Sequence, residues 1–129
     1  MRNFKVKDVF RTKRRICVVV ELDGFQNLYR TFLEGSQGFG MNYCNGYVQT
    51  LTRNHGRDYN DFVNKVDTDE LTFSGTLDYF NDSRIPKDVW FFGFDSAHAW
   101  NDEHPETKTF ASVRERTIQL AEEMMKKGI

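Results

Sequence analysis

"NFKVKDVFRTKRRICVVVEL", residues 3–22, decides the architecture of this chain. Phe4 and Val6, then Val9 and Phe10, alternate with polar residues, which is the period of a half-buried strand. "ICVVVEL", residues 16–22, is a β-branched run and reads as a second strand, so the two form a hairpin through "RTKRR". Its tip, "TKRR", reads as a solvated loop whose charge keeps an exposed hairpin soluble and protects a sheet edge. The same charge makes Arg11, Lys13, Arg14 and Arg15 a basic patch able to meet a phosphate or an acidic partner.

Outward from the hairpin, "DGF" at 23–25 signals a turn, and "FQNLYRTFL" at 25–33 reads as a third strand or a short helix. "GSQGFG" at 35–40 breaks the chain with glycines; it lacks the lysine of a phosphate-binding P-loop. "YCNGYVQTL" reads as a strand in which Asn45-Gly46 marks a bulge or a close backbone approach, because apolar residues continue on both sides. Tyr59, Phe62, Val63 and Val66 predict two turns of helix, and "ELTFSG" and "VWFFGF" predict further strands. From about Ser112, Val113, Thr117, Leu120, Ala121 and Met124 share one helical face, with Ser112 and Glu115 as a capping box and Gly128 at the end. The prediction is an α+β fold over residues 1–129: one domain with a mainly antiparallel sheet, a short middle helix and a C-terminal amphipathic helix packed on it.

A chain of 129 residues buries one core. Cys17 and Cys44 stand far apart without a zinc-type ladder, so neither a disulfide scaffold nor a metal or other cofactor is expected. No apolar run is long enough to span a bilayer, which predicts a cytoplasmic protein without membrane contact. The net charge of −1 hides an asymmetry: residues 1–15 hold seven basic side chains against Asp8 alone, leaving the rest acidic.

"WFFGFDSAH", residues 90–98, concentrates the chemical signals. Strand alternation turns Trp90, Phe92 and Phe94 one way and Phe91 the other, and Gly93 leaves a gap on Phe91's side. Asp95 and His98 then lie just past the strand. Asp95 can close a turn by bonding the backbone of "SAH", or it can orient the imidazole for acid/base work. A metal shared with His55 or His104 is a further option for the pair, and Cys44 carries no signature of an activated nucleophile. Aromatic rings stand beside arginine and asparagine at Tyr29-Arg30, Tyr43 and Tyr47 around Asn45, Arg57 near Tyr59, and Trp100-Asn101. A purine base and its phosphates need such neighbours, because rings stack and cations neutralise. The candidate ligand-binding set is Tyr47, His55, Arg57, Trp90, Asp95, His98, Trp100 and Asn101, against a background in which most rings fill the core.

The order "CNGYV", "HGRDYNDF", "LTFSG", "WFFGFDSAH" and a closing helix resembles a family of small proteins from tailed bacteriophages and prophages, over about residues 43–125. The matching positions are Gly46, Tyr47, Val48, His55, Leu71, Thr72, Phe73, Gly93, Phe94, Asp95, Ala97, His98 and Asp102. This chain has "TDE" at 68–70 where that family tends to have His-Gly-Gly, and Ser96 where it has cysteine. The resemblance implies a phage accessory protein of the counter-defence kind, working in the host bacterial cytoplasm. Its expected action is non-enzymatic binding of a nucleotide-like small molecule, such as a host immune signal, or of a host defence protein; nucleic acid is a less favoured partner. The alternative is a small hydrolase or nucleotide-modifying enzyme with Asp95 and His98 as acid/base pair and His55 or Asp102 assisting. A pocket of dinucleotide size forms more easily between copies, so a homo-oligomer is expected, with a sheet edge or Met125 of the last helix at the contact.

Overall fold

A computed structural model describes residues 4–24 and 41–129. The readings of "FQNLYRTFL", including Tyr29 and Arg30, and of "GSQGFG" lie outside the described residues. β1 (Phe4–Thr12), β2 (Arg15–Leu22), β3 (Tyr43–Gln49), β4 (Phe73–Gly75) and β5 (Phe91–Asp95) form one antiparallel sheet in the order β1-β2-β3-β5-β4. A short helix, α1 (Ala99–Glu103), and a long one, α2 (Phe110–Lys127), follow the last strand. The fold is α+β, and α2 packs across β2 and β3.

β2 shows why its sequence is a continuous apolar run. Both faces of the sheet are covered there, so neither set of alternate side chains meets water. Cys17 and Val19 face α2 together with Cys44, Val48, Phe92 and Phe94, and α2 contributes Val113, Leu120, Ala121 and Met124. Ile16, Val18 and Val20 face the other way with Tyr47 and Phe91. That second face is covered by the link between β4 and β5, which drops Leu77, Phe80 and Ile85 onto it. Phe91 thus opposes Phe92 and Phe94, as alternation requires, and Trp90 packs on the α2 side.

Asn45-Gly46 is a close approach. The β2–β3 and β3–β5 registers run through it without a slip, and a Cβ on Gly46 would stand 2.2 Å from Thr117 Oγ1 and 2.7 Å from the Phe94 ring. Gly93 meets a ring in the same manner: a Cβ there would lie 2.5 Å from Tyr47 Cδ1, so Tyr47 fills the gap left beside Phe91. The bulge in the sheet is in β1, between Val6 and Asp8.

Two local expectations are corrected. Residues 59–66 do not form a two-turn helix; only Tyr59–Asp61 makes a 3-10 turn, although Phe62 and Val66 are buried. Asp58 accepts the Asn60 amide at 2.8 Å, and a segment with Asn60, Asp61 and Asn64 offers its backbone turn partners in place of helical ones. The last helix begins earlier than Ser112. Thr109 is its N-cap, accepting the Ser112 amide at 3.3 Å, so Ser112 lies inside the first turn and does not cap with Glu115.

The end of α2 is pinned to the sheet. Gly128 is left-handed, with φ 68°, and the Ile129 carbonyl accepts from the Leu51 amide at 2.8 Å, the Thr50 hydroxyl at 2.6 Å and the Asn54 amide group at 3.2 Å.

Candidate functional site

Asp95 ends β5 directly opposite Asn45 of β3. Its Oδ1 accepts the Thr72 hydroxyl at 2.8 Å and faces His98 Nε2 at 3.1 Å, while Oδ2 accepts the Ala97 amide at 3.3 Å. The turn and the ionic pairing are therefore made by the same carboxylate. His98 stands at the N-cap of α1, and its backbone N–H donates to Asn101 Oδ1 at 3.2 Å. A local turn and a helix start together aim the imidazole at Asp95.

The pair borders a cleft of about 240 Å³ lined by Tyr43, Asn45, Tyr47, Thr72, Phe73, Phe94 and Asp95. Asn45, Tyr47 and Asp95 share the sheet face turned away from α2, as period two dictates. Asn45 Nδ2 donates to the Tyr47 hydroxyl at 3.3 Å, and among the described residues its carbonyl Oδ1 is buried without a hydrogen-bond partner. An unpaired buried acceptor costs free energy, so it marks a place where a donor would be stabilising. Burial pushes the Tyr47 hydroxyl well up from its ordinary value and keeps it neutral; the exposed Tyr79 hydroxyl bonds to it. Phe73 meets the Tyr47 ring edge-on at 5.1 Å.

Asp69 and Arg116 pair beside the cleft, at 2.9 Å. Burial raises the Asp69 carboxyl, against the lowering effects of Arg116 and His98, and the Asp95 charge adds to the rise. Arg116 also donates to the Thr107 carbonyl and lies over the Phe94 ring, 5.3 Å from its centroid, so its charge is engaged. Among the described residues, the lining of the cleft contains neither Lys nor Arg.

The remaining ligand-binding candidates are not gathered here. Trp90 immediately precedes the strand that Asp95 ends, so about 17 Å separates them at the usual strand rise. His55 tilts against the Trp90 ring at 5.1 Å and reaches Asp88 at 3.1 Å; Trp90 Nε1 donates to the Arg57 carbonyl, and the Arg57 guanidinium pairs with Asp61 at 3.3 Å. Tyr47, Trp90 and Trp100 are thus no common wall, because Tyr47 and Trp90 occupy opposite faces. Trp100 is exposed and stacks on His104 with centroids 4.4 Å apart. Asn101 is buried, with Nδ2 donating to Thr107 Oγ1 at 2.8 Å, and it serves the helix start. Asp102 is buried against Lys108.

Of the basic patch, Arg11, Lys13 and Arg14 are exposed, but Arg15 is not part of it. Arg15 is buried and donates to the Gln49 carbonyl at 3.0 Å, because the strand pairing begins at that residue and turns it inward.

The chain matches no family model, no curated protein and no solved structure. Chemistry must therefore be argued from the side chains alone. Among the described residues no three or more His, Cys, Asp or Glu converge as metal ligands. Burial pushes the Cys17 thiol up to about 12 and the Cys44 thiol up to about 11, so neither is a ready nucleophile. Thr72 donates to Asp95, and Ser96 donates to the Cys44 carbonyl; neither hydroxyl is handed to His98. What the arrangement offers is a set of acceptors between aromatic rings.

The sequence reading set Asn45 between Tyr43 and Tyr47 but left it, with Thr72, Phe73, Asp69 and Arg116, out of the ligand-binding set. The signal for Asn45 was its place before a glycine that admits α2; that for Thr72 and Phe73 was the "LTF" element.

Proposed function

We propose that the protein is a non-enzymatic binder whose cleft takes the N–H-bearing edge of a nucleobase, most concretely that of a nucleotide-derived host immune signal. The observation that carries this reading is the pairing of Asn45 and Asp95 across β3 and β5. Among the described residues it sets a partnerless carbonyl beside a carboxylate, between Tyr47 and Phe73, in a cleft whose lining holds neither lysine nor arginine. Such a lining favours hydrogen-bond donors and a flat ring and disfavours a phosphate, so the base enters and the phosphates remain outside. The setting is the one the phage resemblance implies: a counter-defence protein in the host bacterial cytoplasm. The cleft has room for one base, so a dinucleotide-sized signal needs a second copy, and a homo-oligomer belongs to the proposal.

Two observations support other readings. The exposed Trp100 is the kind of side chain that anchors a protein partner, which keeps a host defence protein as an alternative target. The 3.1 Å His98–Asp95 contact is what an acid/base pair needs.

Incubation with guanine-, adenine- and cytosine-containing nucleotides, heat denaturation and chromatography of the released material separates the classes. The expected result is an intact nucleotide at about one per chain, with at least tenfold weaker binding by the folded fraction of Asp95→Asn, whose melting temperature falls because an amide nitrogen cannot accept from Ala97 as Oδ2 does. Cleaved nucleotide at many turnovers per chain overturns the binding reading in favour of the enzyme.

A further inference from the structure

The β1–β2 hairpin closes in an unusual way. Thr12 pairs with Arg15, and the two residues between them, Lys13 and Arg14, have φ of 50° and 62°. A two-residue loop with both positions left-handed is a type I′ turn, which favours Asn-Gly because a side chain there is strained. This chain instead accepts the strain at two adjacent cations.

The strained tip lies at one end of the sheet with other cations. Arg15 and Ile16 bond to Gln49 at the end of β3, so the hairpin tip adjoins the turn that follows β3. Arg53 of that turn donates to the Gly128 carbonyl, which brings the last turn of α2, with Lys126, to the same end. Arg11, Lys13, Arg14, Arg53 and Lys126 are all exposed there, and among the described residues none of them pairs with a carboxylate. Four carboxylates are engaged with other cations: Asp61 with Arg57, Asp82 with Arg84, Asp88 with His55, and Glu123 with Lys127. The opposite end mixes both signs: Glu21 stands across from Lys5, Asp69 pairs with Arg116, and Asp95 faces His98. The cations of the hairpin end thus form a cluster that a polyanion can approach.

We propose that this hairpin end docks on the phosphate backbone of a nucleic acid, without reading its sequence. Nucleic acid is favoured over an acidic protein because the cations sit at a β-hairpin turn and to one side of it. A ribbon tip enters a groove while flanking cations meet phosphates at its rims. The surface is separate from the cleft at Asp95, at the other end of β5.

The test is fluorescence anisotropy of the full chain with a labelled 20-base-pair DNA duplex and a labelled 20-nucleotide single strand. With three or four phosphates engaged on the duplex, affinity weakens by about 40- to 150-fold between 50 and 200 mM salt. Replacing the tip by Lys13→Asn with Arg14→Gly removes two charges and installs the residues the turn prefers. That variant is expected to bind at least tenfold more weakly and to melt no earlier than the parent. Asp95→Asn is expected to bind as the parent does, so failure of the nucleobase reading leaves this result untouched. Absence of binding to either probe at 50 mM salt overturns the proposal, as does full affinity in the tip variant. Equal competition by polyglutamate at matched charge overturns it in favour of an acidic protein partner.

Discussion

Gly46 of β3 and Thr117 of α2 touch backbone to side chain: a Cβ on Gly46 would stand 2.2 Å from the Thr117 oxygen. Thr117 is itself fixed, donating to the Val113 carbonyl at 2.7 Å inside α2. The helix therefore rests on the strand at the one place where the strand has no side chain, and the neighbouring Asn45 is held in register with Asp95.

Gly46→Ala is expected to destabilise the fold by about 2–3 kcal/mol, as overpacking does where backbones cannot part. Adding Thr117→Ala removes the closest clash but leaves Phe94 at 2.7 Å, so about half of the loss is recovered. Urea unfolding of the four members of this cycle measures it; additive losses would show that the two residues do not press on one another.

Cys17 and Cys44 are expected to resist thiol reagents at pH 8 in the native state. Burial raises both thiols, to about 12 and about 11, which leaves few thiolates and no route to them. Labelling should be roughly 100-fold slower than in denaturant. Rapid native labelling of Cys44 would reopen its role as a nucleophile.

Asp102 is the carboxylate partner of Lys108, whose side chain is 1% exposed. Asp102→Asn takes that charge away from a buried ammonium and is expected to cost about 3–5 kcal/mol. The loss should appear in the melting temperature, whereas ligand binding by the folded fraction should persist. Loss of binding at unchanged stability would instead place Asp102 among the residues that assist His98.

Glu123 gives the acid limb of stability. Burial is the largest single influence on its carboxyl and pushes it up, but Lys127, the Asp67 and Thr68 amides and the Thr68 hydroxyl together outweigh it and bring it to about 2. A folded value below the unfolded one means that the stabilisation is complete above pH 4.5 or so and is lost as pH falls towards 2. Glu123→Gln should lower stability by about 1–2 kcal/mol at pH 7 and flatten the decline between those pH values. Equal acid slopes in parent and variant, followed by circular dichroism, would contradict this.

The hairpin, the β5 strand and the face of α2 were legible because each is a periodic pattern within one segment, and Val113, Thr117, Leu120, Ala121 and Met124 are all buried. The middle helix was misread because apolar residues at 59, 62, 63 and 66 contact the core from turns as well as a helix would place them. The His98–Asp95 contact was legible for the same reason as the hairpin: three residues of sequence span it. The Asn45–Asp95 pair was not, since it depends on β5 entering the sheet beside β3, and no local pattern encodes strand order. Arg116 and Asp69 meet through tertiary packing, 47 residues apart.

The strand order β1-β2-β3-β5-β4 fixes what the chain can do while it is being made. β4 leaves the ribosome before β5, its sole neighbour among the described strands, and so waits for that strand before it can pair. α2 is made after every strand, and until then Cys17, Val19, Cys44, Val48, Phe92 and Phe94 form an uncovered apolar face on the nascent sheet. A cell that produces this protein at high rate therefore carries a sticky intermediate until α2 has left the ribosome and docks. Slow codons placed ahead of α2 would lengthen that exposure and lower the soluble yield, with no change in the amino-acid sequence.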